Sequence, residues 1–65
     1  MEDIYKLIDD INLQKIENLD SRVNEALSSN NDDALFILGE TLYNFGLTPQ
    51  GLEVFRTLYH KYPRS

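Results

Sequence analysis

Gly46-Leu47-Thr48-Pro49 is the stretch that leaves this chain least freedom. Glycine takes the left-handed conformation that ends a helix, threonine can cap the next one, and proline suits a first helical position, where its missing N–H is not needed. Apolar residues at helical spacing flank the turn: Ala34, Leu35, Leu38, Leu42 and Phe45 before it, and Leu52, Val54, Phe55, Leu58, Tyr59 and Tyr62 after it. The expectation is two antiparallel helices over residues 32–45 and 49–61, with Leu47 and Leu52 spaced as a hydrophobic staple across the cap. Phe36 and Tyr43 fall outside the main stripe of the first of these helices and leave only Glu40 and Asn44 as a polar strip. A helix apolar nearly all round is normally sandwiched between others.

Ser28-Ser29-Asn30-Asn31 makes a second break, with Asn31 the expected cap and Asp32 and Asp33 favourably placed at the positive end of the helix dipole. That role accounts for both aspartates, and the stretch lacks the glycine and distal glutamate of a calcium loop. Upstream, Ile4, Leu7, Ile8 and Ile11 fit a short amphipathic helix over 3–11. Leu13, Ile16, Leu19, Val23, Ala26 and Leu27 fit a longer one over 13–28, with Asn12 at the turn between them. No glycine or proline separates these two, so one helix from Asp3 to about Glu17 stands as the alternative. The fold class is all-α: four helices in two hairpins within one small domain.

Leu35, Leu38-Gly39, Leu42, Gly51, Phe55 and Pro63 fall at the offsets of the pattern W-x2-L-G-x2-Y…A-x3-F…P, with Leu for Trp and Tyr and Gly for Ala. Residues 32–65 therefore resemble one tetratricopeptide repeat. A step of 34 residues back from Gly46 reaches Asn12, the next-best residue to glycine in the left-handed region. The same step from Phe55 reaches Ser21, and the apolar register recovers only with a shift of about two residues, so 1–31 reads as a degenerate, divergent repeat or capping hairpin. The resemblance implies a right-handed stack of two antiparallel helical hairpins. Such stacks generally need three repeats, so the chain is expected to be the N-terminal fragment of a longer repeat protein.

The resemblance also implies that function lies on a protein-binding surface. The first helix of each repeat lines the concave face, which would present Asp33, Phe36, Ile37, Glu40, Tyr43 and Asn44, joined by Lys6, Asp9 and Asp10 from the first hairpin. The family's clamp for acidic C-terminal carboxylates uses Lys, Arg and Asn where this chain has Phe36 and Glu40, which disfavours that ligand class. Aromatics beside carboxylates suit a basic or amphipathic segment of another protein or peptide, through apolar contact, cation–π attraction and charge pairing. The plainer reading has Phe36 and Tyr43 packed against neighbouring helices. A binding groove leaves both accessible; a purely structural unit buries both.

The rival function is a structural N-terminal cap or self-association unit. The apolar arc of the last helix spans about 160° on a wheel, more than one neighbour covers. Phe45, Val54, Leu58, Tyr59 and Tyr62 are the residues expected to stay partly open and to support a two-fold homodimer through that C-terminal face.

Other classes are disfavoured. The net charge of -5 is uneven, with nine acids and three bases in residues 1–33 against two acids and three bases beyond, so a phosphate backbone is repelled and nucleic-acid binding is not expected. The acidic start and the lack of a long apolar run argue against a signal peptide and a membrane span, and with no cysteine a cytoplasmic location is the default. His60 lies on the polar side of its helix, no nucleophile stands in a recognisable context, and Asp9-Asp10 and Asp32-Asp33 are adjacent pairs whose side chains diverge. No enzyme activity, cofactor or metal is expected.

Overall fold

The structure, a computed structural model, describes residues 3–62; Pro63 of the repeat pattern lies outside them. The described residues are all-α, with helices α1 (Ile4–Asn12), α2 (Leu19–Ala26), α3 (Asp32–Asn44) and α4 (Thr48–Lys61). The Asp3 carboxylate starts α1 by accepting from the N–H groups of Tyr5 at 3.0 Å and Lys6 at 3.3 Å. Asn31 starts α3, its Oδ1 accepting from the Ala34 N–H at 3.1 Å.

Both α1 and α3 end in the same hydrogen-bonded turn. After α3, the Gly46 N–H donates to the Tyr43 carbonyl at 3.0 Å and the Leu47 N–H to the Leu42 carbonyl at 2.8 Å, with Gly46 at φ +75°. After α1, the Gln14 N–H donates to the Ile11 carbonyl at 2.9 Å and the Lys15 N–H to the Asp10 carbonyl at 2.7 Å, with Gln14 at φ +61°. This 6→1 and 5→2 pairing satisfies carbonyls that the helix end would leave open. The equivalent turn residue in the first half is thus Gln14, two positions beyond Asn12, which is the last residue of α1.

Four other expectations are corrected. The second helix does not span 13–28: residues 13–18 form an irregular connection with Gln14 and Asn18 both left-handed, and α2 begins only at Leu19. The continuous helix to Glu17 is equally absent. Leu13 and Ile16 are exposed there, so their helical spacing has no core face to serve. Thr48 does not cap α4. Leu47 occupies the cap, Thr48 is already helical, and no side chain accepts a hydrogen bond. With Leu47 at the cap the staple register is lost, and Leu52 turns outward.

α3 is the central element, packed against α4 on one side and α1 on the other, while α2 leans on α4. Leu7, Ile11, Leu35, Leu38, Leu42 and Val54 are its fully buried core, completed by Ile4, Ile8, Val23, Ala26 and Ala34. Burying one such aliphatic side chain contributes about 1.5–3 kcal/mol. Val54, expected on an open face, is at the centre of the core. The reason is rotational: it lies between Gly51 and Leu58 on the side of α4 that meets α3, where Gly51 is itself buried.

Candidate functional site

Two glycines set how closely α3 and α4 approach. A Cβ on Gly39 would lie 2.8 Å from the Phe55 ring, and one on Gly51 would lie 2.9 Å from the Tyr43 ring and 3.4 Å from the Gly39 carbonyl oxygen. The absence of both side chains makes room for aromatic rings along the outer seam of the hairpin. Phe55 of α4 takes that space between two rings of α3: Phe36 meets it edge-on, with centroids 5.6 Å apart and planes at 73°, and Tyr43 stacks on it at 5.5 Å and 29°. Such pairs contribute about 0.5–1.5 kcal/mol each beyond the area they bury.

The cluster is not sealed. Phe36 is 51% exposed and Tyr43 38%, and Leu52, Tyr59 and Tyr62 on α4 are about half exposed or more. Phe36, Phe55, Leu58, Tyr59, Tyr62 and Asp32 line a largely apolar groove of about 330 Å³. Five of the seven aromatic residues thus share one side of the α3–α4 hairpin, turned away from α1 and α2. Carboxylates mark the α3 edge and the Arg56 cation marks the α4 edge, with Glu53 one turn further on and toward α2. On α3, Asp33 and Glu40 are exposed beside Phe36 at helical neighbour spacing; on α4, Arg56 and His60 border Phe55, Tyr59 and Leu52.

The open end of the hairpin is held by polar groups. Lys61 Nζ donates to the Ser29 carbonyl at 2.9 Å and to Asp32 Oδ1 at 3.2 Å, and the Tyr62 hydroxyl donates to Asp32 Oδ2. The bond from Tyr62, then that from Lys61, holds the Asp32 carboxyl below its usual value, and the same bond pushes the Tyr62 phenol up. A longer-range bond ties α2 to α4, where Gln50 Nε2 donates to Asp20 Oδ1 at 2.9 Å.

The residues expected along a concave face separate into two groups. Phe36, Glu40, Tyr43 and Asn44 are exposed on α3, and the structure brings the two aromatics onto Phe55 of α4. Lys6 and Asp9 are exposed on α1, but Asp10 is drawn toward α2: Arg22 reaches it at 2.9 Å and Lys6 at 3.8 Å, and the Arg22 hydrogen bond holds its carboxyl below the ordinary value. Asp10 fastens α1 to α2. Of the residues expected to self-associate, Tyr59 and Tyr62 are exposed and Leu58 is half-buried in the groove. Val54 is wholly buried, and Phe45 lies at the other end of the hairpin beside Ile11, Gln14, Ile16 and Leu47.

Phe55, the centre of the cluster, is partly buried between the rings of Phe36 and Tyr43 and was not among the residues expected on a binding surface. The signal was available in Gly39 and Gly51, two small residues opposite large rings across the hairpin. Among the described residues no three His, Cys, Asp or Glu side chains group as metal ligands, and no helix is long and apolar enough to cross a membrane. Comparison with family models, curated proteins and solved structures finds no match for this chain.

Proposed function

We propose that the chain is a protein–protein interaction module whose working surface is the aromatic side of the α3–α4 hairpin. The observation that carries this reading is the half-exposed Phe36–Phe55–Tyr43 cluster. Taking about 200 Å² per side chain, the exposed fractions of Phe36, Tyr43, Leu52, Tyr59 and Tyr62 come to roughly 500 Å². That is as large as the largest apolar patch on a typical monomer, and such patches are often functional. Asp33 and Glu40 along one edge favour a partner helix with basic residues beside its apolar stripe. The repeat-like register of Leu35, Leu38, Gly39, Leu42, Gly51 and Phe55 supports the same class of function.

The test is an unbiased display library of helical peptides selected on the folded chain, with each binder mapped by amide chemical shifts. Shifts centred on Phe36, Tyr43, Phe55 and Tyr59, abolished by Phe36→Glu, are the expected result. Binders that gather instead on α1 and α2, or prefer acidic C-terminal sequences, would overturn the reading.

A further inference from the structure

Resting on that reading of the α3–α4 face, we propose that its occupant is α4 of a second copy of this chain, in a two-fold dimer whose axis runs parallel to the helices. α4 has the chemistry the face selects: an apolar stripe of Leu52, Phe55 and Tyr59 edged by Arg56 and His60. Contacts across the hairpin fix the heights at which charges would meet. Asp32 is level with Lys61 and Tyr62, Phe36 with Phe55, and Tyr43 with Gly51. Arg56 therefore sits at a height between Asp33 and Glu40, and His60 stands near the height of Asp33.

A two-fold axis parallel to the helices lays α4 of each copy over α3 of the other at preserved heights. The basic edge of one copy then faces the acidic edge of its mate, and does so twice. An axis at right angles puts α3 on α3 and α4 on α4, setting like charge against like. The symmetry is thus chosen by the charge pattern. Of the described carboxylates in residues 1–33, Asp32 lines the groove and Asp33 marks its acidic edge, while Asp3, Asp9, Asp10, Glu17, Asp20 and Glu25 belong to α1, α2 and the segments flanking them. Both copies together would bury roughly 1,000 Å² of apolar surface, the lower limit for a specific interface, so the dimer is weak and reversible.

Sedimentation equilibrium of the whole chain from about 10 μM to about 1 mM covers the range such an interface implies. The expected result is a concentration-dependent monomer–dimer equilibrium that Tyr59→Lys abolishes; Tyr59 is 64% exposed, so helicity should be unchanged by circular dichroism. Glu40→Arg alone and Arg56→Glu alone should each weaken the dimer about tenfold, and an equimolar mixture of the two should recover it, because both cross-contacts become attractive again. A monomer throughout the range overturns the dimer, and if library helices still shift Phe36 and Tyr43 the face keeps its proposed role. Self-association that ignores Tyr59→Lys runs through another surface and overturns the proposed dimer. Self-association that responds to Tyr59→Lys but not to either charge reversal overturns the α4-on-α3 arrangement.

Discussion

Gly46 and Gln14 end α3 and α1 with the same pair of hydrogen bonds and nearly the same backbone, yet only one of them is suited to it. A residue with a Cβ is strained by about 1–2 kcal/mol in the left-handed region, whereas glycine enters it freely. Nothing lies within 4 Å of a Cβ built on Gly46, so any loss there is conformational rather than steric. Gly46→Val should lower the free energy of unfolding by about 1–2 kcal/mol, and Gln14→Gly should raise it by about 0.5–1 kcal/mol, both read from urea denaturation. The first turn was legible because glycine advertises its conformation. The second was not, because nothing in a glutamine marks positive φ, and the 34-residue step pointed to Asn12. Asn31 was readable as a cap for the same reason that Thr48 misled: short polar side chains favour caps, yet α4 starts one residue sooner, with Leu47 at the cap and Thr48 already helical.

At the level of elements, periodicity identified α1, α3 and α4 and overextended α2. The wheel could show that α4 is apolar over a wide arc but not how the arc divides: Val54 goes inward to the core, Leu58 lies half-buried, and Phe55, Tyr59 and Tyr62 face the groove. That division is set by the close approach at Gly39 and Gly51, which depends on the pairing of two helices and not on either alone. Adding a methyl group tests it. Gly39→Ala gains up to about 1 kcal/mol of helix propensity but meets the Phe55 ring at 2.8 Å, and overpacking of this kind costs about 1–3 kcal/mol. The net loss should stay under about 2 kcal/mol because Phe55 can swing outward, while near-ultraviolet circular dichroism should show the Tyr43 stack broken. An unchanged aromatic spectrum would mean that the ring contact does not depend on the glycine.

At the scale of the whole molecule, the ion pairs of Asp10 with Arg22 and of Asp32 with Lys61 join separate elements, and the Tyr62 hydroxyl adds a hydrogen bond to Asp32. Both carboxyls are held below their ordinary value of 3.8, so their contribution is complete above that pH and lost as pH falls through the lower folded-state values. Tyr62 is raised from its ordinary 10.0, so its contribution is present below pH 10 and lost as pH rises through the raised value. The melting temperature should therefore fall on acidification below about pH 4 and again above about pH 10, and Asp32→Asn should flatten the alkaline limb and part of the acidic one. Residue identity alone did not reveal these links, since Asp32 already had a role at a helix N-terminus and its partners lie some thirty residues away. The same contacts also govern where a protease can enter. Trypsin must accept an extended chain around Lys61, but that side chain is engaged with Ser29 and Asp32 while the final turn of α4 is tied back to the start of α3. Cleavage after Lys61 should be slow in the native chain and several-fold faster in Asp32→Asn, with cleavage after the exposed Arg56 little changed, so that one aspartate decides whether the end of the last helix is trimmed.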